Sequence, residues 1–174
     1  VLLNTHEGKS SLWLNDGTGV FEDFTGRLPP MDDGSAYHYG PAACDIDGDG
    51  DRDLLLDNVG PDYGEQVLVN DGTGHFTAES DRIEDDGGDD DNGIVCLDFD
   101  DDGDLDIVVV SLSSNGERLF ENDGTGHFTR VAGAFTALRD PSLWMEAGDV
   151  NGDGRLDVVT AQDEGDVQLE RLYL

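Results

Sequence analysis

Lysine is almost missing from this chain. Lys9 is the only one in 174 residues, and nine basic side chains face 41 acidic ones. A formal net charge of −32 repels polyanions, so nucleic acid and anionic lipid are expected to be excluded as partners. No apolar run is long enough to cross a bilayer, so no membrane insertion is expected of this segment. No stretch carries a helical period. No Ser-His-Asp or Cys-His arrangement stands out, and there is no phosphate-binding glycine loop, so a catalytic reading has no residues to rest on. Cysteine is limited to Cys44 and Cys96. They stand one and two residues ahead of the first Asp of an acidic loop, so in strands they face opposite ways. We read them as small buried residues with free thiols rather than as a disulfide.

What is abundant is aspartate at a fixed spacing. Asp45, Asp47, Asp49 and Asp53 fall at the first, third, fifth and ninth places of one loop. The pattern returns as Asp98, Asp100, Asp102 and Asp106, and again as Asp149, Asn151, Asp153 and Asp157. Glycine fills the sixth place each time, as Gly50, Gly103 and Gly154. Alternate oxygen ligands on a tight loop suit a hard cation with six to eight oxygen ligands, namely Ca2+. The glycine lets the backbone turn so that the seventh carbonyl, of Asp51, Asp104 or Arg155, points inward. A cationic side chain at Arg155 is no obstacle to a ligand supplied by its backbone. Three calcium sites are therefore expected. An acidic surface turn explains one copy but not three with one spacing. The EF-hand is disfavoured, because place twelve holds Leu56, Val109 and Thr160 in place of Glu, and short apolar strands follow each loop.

A second motif repeats out of phase with the first. It reads Leu14-Asn15-Asp16-Gly17-Thr18-Gly19-Val20-Phe21, then Val69-Asn70-Asp71-Gly72-Thr73-Gly74-His75-Phe76, then Glu121-Asn122-Asp123-Gly124-Thr125-Gly126-His127-Phe128. Asn-Asp-Gly between strand-like segments marks a hairpin. A repeat of about fifty residues holding several short strands points to propeller blades. The expected fold is all-β, in blades of four antiparallel strands, amounting to about three and a half blades of one longer propeller. Residues 1–25 give a partial blade, 40–79 and 93–131 complete ones, and 143–174 a second partial one.

The two motifs together resemble the FG-GAP or VCBS-type repeats of integrin-alpha-like β-propellers over nearly the whole chain. The resemblance implies calcium at the acidic places of the three loops, and ligand binding on the face opposite them. That face comprises residues 6–10, 58–65, 111–116 and 162–166 with the linkers near Tyr37-His38-Tyr39, 85–92 and 134–144. Tyr37, His38, Tyr39 and Tyr63 form a candidate aromatic platform for a sugar or a peptide, although packing between blades is favoured. The run of Asp85, Asp86, Asp89, Asp90 and Asp91 reads as a solvated loop. His75 and His127 share one repeat position, so they read as structural. The functional expectation is a non-catalytic, calcium-stabilised binding or adhesion module, extracellular or at the cell surface, with a protein or carbohydrate ligand. The alternative is a propeller serving an extracellular hydrolase or lyase.

Overall fold

The computed structural model describes residues 2–3, 10–30, 39–59, 63–84, 88–112, 116–135, 141–162 and 171–173. Its strands are β1 (Leu2–Leu3), β2 (Ser11–Asn15), β3 (Phe21–Asp23), β4 (Ala42–Cys44), β5 (Asp53–Val59), β6 (Gly64–Asn70) and β7 (Phe76–Ala78). They continue as β8 (Asp91–Leu97), β9 (Asp106–Ser111), β10 (Arg118–Asn122), β11 (Phe128–Arg130), β12 (Ser142–Gly148), β13 (Asp157–Gln162) and β14 (Arg171–Tyr173). They form four antiparallel sheets, β1-β2-β3, β4-β5-β6-β7, β8-β9-β10-β11 and β12-β13-β14, with sequence neighbours paired throughout. Among the described residues there is no α-helix. The chain is all-β and built of β-propeller blades, two of them four-stranded and two three-stranded among the described residues.

The sheets stack face to face, which explains why the second strands of the second and third sheets, β5 and β9, are apolar on both sides. Side chains alternate along a strand. Leu54 and Leu56 pack with Leu12 and Leu68 between the first and second sheets. Leu55 points the other way, with Val67, Ile107, Val109, Phe120 and Phe128, between the second and third. Val108 and Val110 turn again to meet Met145 and Val158 of the fourth. Each fully buried side chain of this kind contributes about 1.5–3 kcal/mol. A continuous apolar run such as Leu54-Leu55-Leu56 is thus the signature of a strand sandwiched between two sheets.

The stacking also overturns one expectation. Cys44 and Cys96 form a disulfide, with their Cα atoms 6.5 Å apart. Their opposite facing is what permits it. Cys44 looks forward from the second sheet, Cys96 looks back from the third, and face-to-face stacking brings the two together.

Two further ties between sheets come from short 3-10 turns that a sequence period could not show, Thr25–Arg27 and Ser80–Arg82. Each follows the last strand of its sheet. Arg27 Nη1 donates to the carbonyl of Thr73 in the next sheet's hairpin at 2.7 Å, and Arg82 repeats the bond to Thr125 at 2.6 Å. Arg27 also lies over the Phe24 ring, 4.3 Å from its centroid. The corresponding place in the third unit is Ala134, so this tie stops there.

Candidate metal centres and the opposite face

Each acidic loop joins the first strand of a sheet to the second, and its carboxylates are aimed by bonds to the loop's own backbone. In the first loop, Gly50 N donates to Asp45 Oδ2 at 3.0 Å and Asp51 N to Asp49 Oδ1 at 2.9 Å. In the second, Gly103 N donates to Asp98 Oδ2 at 3.1 Å and Asp104 N to Asp102 Oδ1 at 2.9 Å. The sixth-place glycines sit at φ of +95°, +98° and +90°, a region that favours glycine. Asp53 and Asp106 lie behind the loops, buried. Asp53 accepts from Ile46 N at 3.1 Å and Asn70 N at 2.8 Å. Asp106 accepts from Phe99 N at 3.0 Å and Asn122 N at 2.8 Å. Burial raises the pKa of both above the usual carboxylate value, and nearby loop carboxylates raise it further, against the lowering effect of those hydrogen bonds.

The structure gathers Asp45, Asp47 and Asp49 so that one carboxylate oxygen from each lies within 4.8 Å of the others, and does the same for Asp98, Asp100 and Asp106. Both groups could hold a metal ion. Oδ1 atoms of Asp45, Asp47 and Asp98 are buried and lack a hydrogen-bond partner. A buried anionic oxygen without a donor is costly, and a hard cation is the partner that suits an all-oxygen set. Of the other expected residues, Asp53 is buried close to Asp47 and Asp49, and Asp102 is exposed close to Asp106. The side chains of Asp51 and Asp104 turn toward the sheet's own hairpin. A Cβ built on Gly72 or Gly124 would stand 2.5 Å from their Oδ2 atoms, so these hairpin positions, at positive φ, require glycine.

The third loop is arranged differently. Asp149 Oδ1 accepts from Gly152 N at 2.6 Å and Asp153 N at 3.1 Å, and Oδ2 from Gly154 N at 3.0 Å. These bonds, that of Gly154 foremost, hold the Asp149 carboxyl below its ordinary value. Asn151 turns its amide toward Asp157, with Nδ2 to Oδ1 at 3.5 Å. Asp153 and Arg155 are exposed. The structure does not draw these residues into a common group.

The opposite ends of the strands carry a buried charged belt that the sequence reading missed. Arg118, fully buried, bridges Glu65 of the second sheet at 2.9 Å and Asp91 of its own at 2.5 Å. Asp57 accepts from the backbone N–H of Tyr39 at 3.0 Å. Ser142 Oγ donates to Glu117, tying the third sheet to the fourth. Asp91, expected in a solvated loop, is buried in this belt. Tyr39 and Tyr63 are 48% and 40% exposed, not packed between blades, while Tyr37, His38 and residues 85–87 lie outside the described residues. His75 and His127 serve the hairpins, their Nδ1 atoms 2.9 and 3.1 Å from the hydroxyls of Thr73 and Thr125. The missed arginines had a signal in the repeat register. Arg27 and Arg82 stand at one offset from Phe21 and Phe76, and Arg118 stands where the preceding unit has Gln66.

The family profile of the FG-GAP-like repeat matches residues 1–56 and 98–160. No curated protein matches the chain. A similar fold is found in a solved structure of an Agrocybe aegerita lectin, described for its specific recognition of non-reducing terminal N-acetylglucosamine. The TM-score is 0.54 at 18% identity, over 95% of this chain and 46% of that one. The chain therefore spans less than half the length of that lectin.

Proposed function

The chain belongs to the FG-GAP-like repeat family, and from that premise we propose that it is a non-catalytic, calcium-stabilised binding or adhesion module. Its ligand, a protein or a carbohydrate, is held on the face opposite the acidic loops. The observation that carries the reading is the pair of converged carboxylate groups with buried oxygens that have no donor. Calcium would be held by Asp45, Asp47, Asp49 and Asp53 with the carbonyl of Asp51, and by Asp98, Asp100, Asp102 and Asp106 with the carbonyl of Asp104. A third ion would take Asp149, Asn151, Asp153, Asp157 and the carbonyl of Arg155, at lower affinity, because Asp149 Oδ1 must first give up its bonds from Gly152 N and Asp153 N. The ion supplies positive charge that offsets the crowding of carboxylates, and so fixes the ends of neighbouring strands. Units 1–25, 40–79, 93–131 and 143–174 are then blades of one propeller domain.

Location outside the cell or at its surface fits the disulfide, which persists in oxidising compartments. It also fits calcium loops, since extracellular modules work at millimolar calcium. A lectin with a similar fold agrees with a binding role. The test is a screen of glycans and protein ligands on the chain, with calorimetric calcium titration alongside. Two or more calcium-binding events and a saturable ligand support the reading. Absence of calcium binding at millimolar concentration would overturn its metal half, and absence of any ligand its binding half.

A further inference from the structure

β4, β8 and β12 are the first strands of their sheets, and β8 lies against both of the others. Five places before the first Asp of each acidic loop, near the end of the strand remote from that loop, stand Gly40, Gly93 and Trp144. Between the second and third sheets this glycine pair allows backbone contact. A Cβ on Gly40 would lie 2.6 Å from Cα of Gly93, and Ile94 N donates to the Gly40 carbonyl at 3.0 Å. The fourth unit breaks the rule with the largest side chain available. An open pocket of about 190 Å³ stands beside it, lined by Gly40, Asn92, Gly93, Val110, Trp144 and Glu146 among others.

The pocket has the features of a recognition site. Trp144 is 54% exposed, and its indole N–H donates to Glu146 Oε1 at 3.1 Å, which orients the ring toward that carboxylate. Asn92 is buried and donates from Nδ2 to the Ser142 carbonyl at 3.1 Å, which holds its amide at the pocket wall. Ile94, Val110 and Met145 supply apolar surface. An aromatic face beside a carboxylate, an amide and small apolar groups matches a flat ligand with C–H bonds on its face and hydroxyls at its rim. The volume is below that of pockets for drug-sized ligands. A chain of net charge −32 with Glu146 in the wall disfavours an anion.

We propose that this pocket is a sugar-binding subsite for one neutral pyranose ring, stacked on Trp144, with its hydroxyls donating to the Glu146 carboxylate and bonding the Asn92 amide. The proposal rests on the reading of the chain as a binding module and names the ligand class of that module.

The experiment is fluorine NMR on the whole chain labelled with 5-fluorotryptophan, in calcium, titrated with N-acetylglucosamine, methyl glucoside and methyl galactoside. Trp13→Phe assigns the two resonances. The Trp144 signal should move saturably with at least one sugar while the Trp13 signal stays fixed. Trp144→Gly, which restores the residue of the other units, should weaken binding at least tenfold. Glu146→Gln should weaken it severalfold with an unchanged melting curve. Trp144→Phe should recover part of the loss. Unchanged sugar affinity in Trp144→Gly and Glu146→Gln would overturn the subsite while leaving the binding-module reading in place. So would a chain that binds a protein ligand in the wider screen but moves its Trp144 signal with none of these sugars. A chain that binds neither sugars nor proteins would overturn both.

Discussion

At 45–53 and 98–106 the carboxylates turn inward and leave buried oxygens without donors. At 149–157 the same spacing leaves the first Asp bonded through both oxygens to its own loop. The first two loops are also tied to hairpins. In the second and third sheets a hairpin leans on the loop. Asn70 N and Asn122 N donate to Asp53 and Asp106 from behind, and the amide of Asn70 reaches the Arg52 carbonyl. Asn122 Nδ2 also donates to Ile46 of the preceding sheet's loop at 2.7 Å and to Leu105 of its own at 2.9 Å. In these two sheets the ninth-place Asp is thus tied both to its own loop and to the hairpin of its sheet.

The largest test of that contrast is removal of the metal. If two formed sites bind calcium roughly 100-fold above the dissociation constant, each adds about 2.7 kcal/mol to the fold. Chelator should then lower the melting temperature by many degrees, and a calorimetric titration should show two tighter events and a weaker third. Three equal affinities would erase the contrast.

Single substitutions sharpen it. Asp98→Ala removes an oxygen from a converged group and should cost about 2 kcal/mol in calcium, close to the loss of one site. Asp149→Ala should cost about 0.5 kcal/mol, in the range of an ordinary surface change. Paired thermal melts in calcium and in chelator read both, and the gap between the variants should close in chelator.

Acidity separates the same groups by sign. Asp53 and Asp106 have raised folded pKa values. Their charged forms are a cost to the metal-free fold, complete above the folded pKa and relieved as pH falls through it. Asp16, Asp71 and Asp123 have lowered values, chiefly from the hydroxyls of Thr18, Thr73 and Thr125, so their contribution is present above the ordinary value and lost only as pH falls through the folded one. As pH falls from neutral toward the ordinary carboxylate value, the melting temperature in chelator should rise by a few degrees, since protonation also relieves the acidic surface. In calcium it should fall, as protons displace the metal.

The smallest effect concerns the fourth place of the loop. Gly48 and Gly152 sit there at φ of +72° and +79°, but the second loop has Asp101 at +63°. Asp101→Gly should stabilise the chain by about 0.5–1 kcal/mol without changing its calcium stoichiometry, as read by melting and calorimetry.

The loops, hairpins and sandwiched strands were readable because each is local. Asp45 through Asp53 and Asn70-Asp71-Gly72 declare themselves within ten residues, and Leu54-Leu55-Leu56 shows burial on both sides. What the sequence withheld depends on two sheets at once. The cysteines looked mismatched because facing was judged within one strand, whereas stacked sheets pair a forward face with a backward one. Arg118 reads as an ordinary surface arginine until Glu65, far away in the chain, is placed beside it. Arg27 and Arg82 lie in turns of three residues, too short for a period. Trp144 looked like part of a variable linker until the repeat register set it against Gly40 and Gly93.

The bond between Cys44 and Cys96 spans 52 residues, about one repeat. Nearly the whole second blade, with its acidic loop and hairpin, is therefore enclosed in a covalent ring. A protease that cuts once anywhere inside the ring releases nothing. The two pieces migrate together on a gel until a reductant is added, and the closed halves stay at high effective concentration for re-pairing.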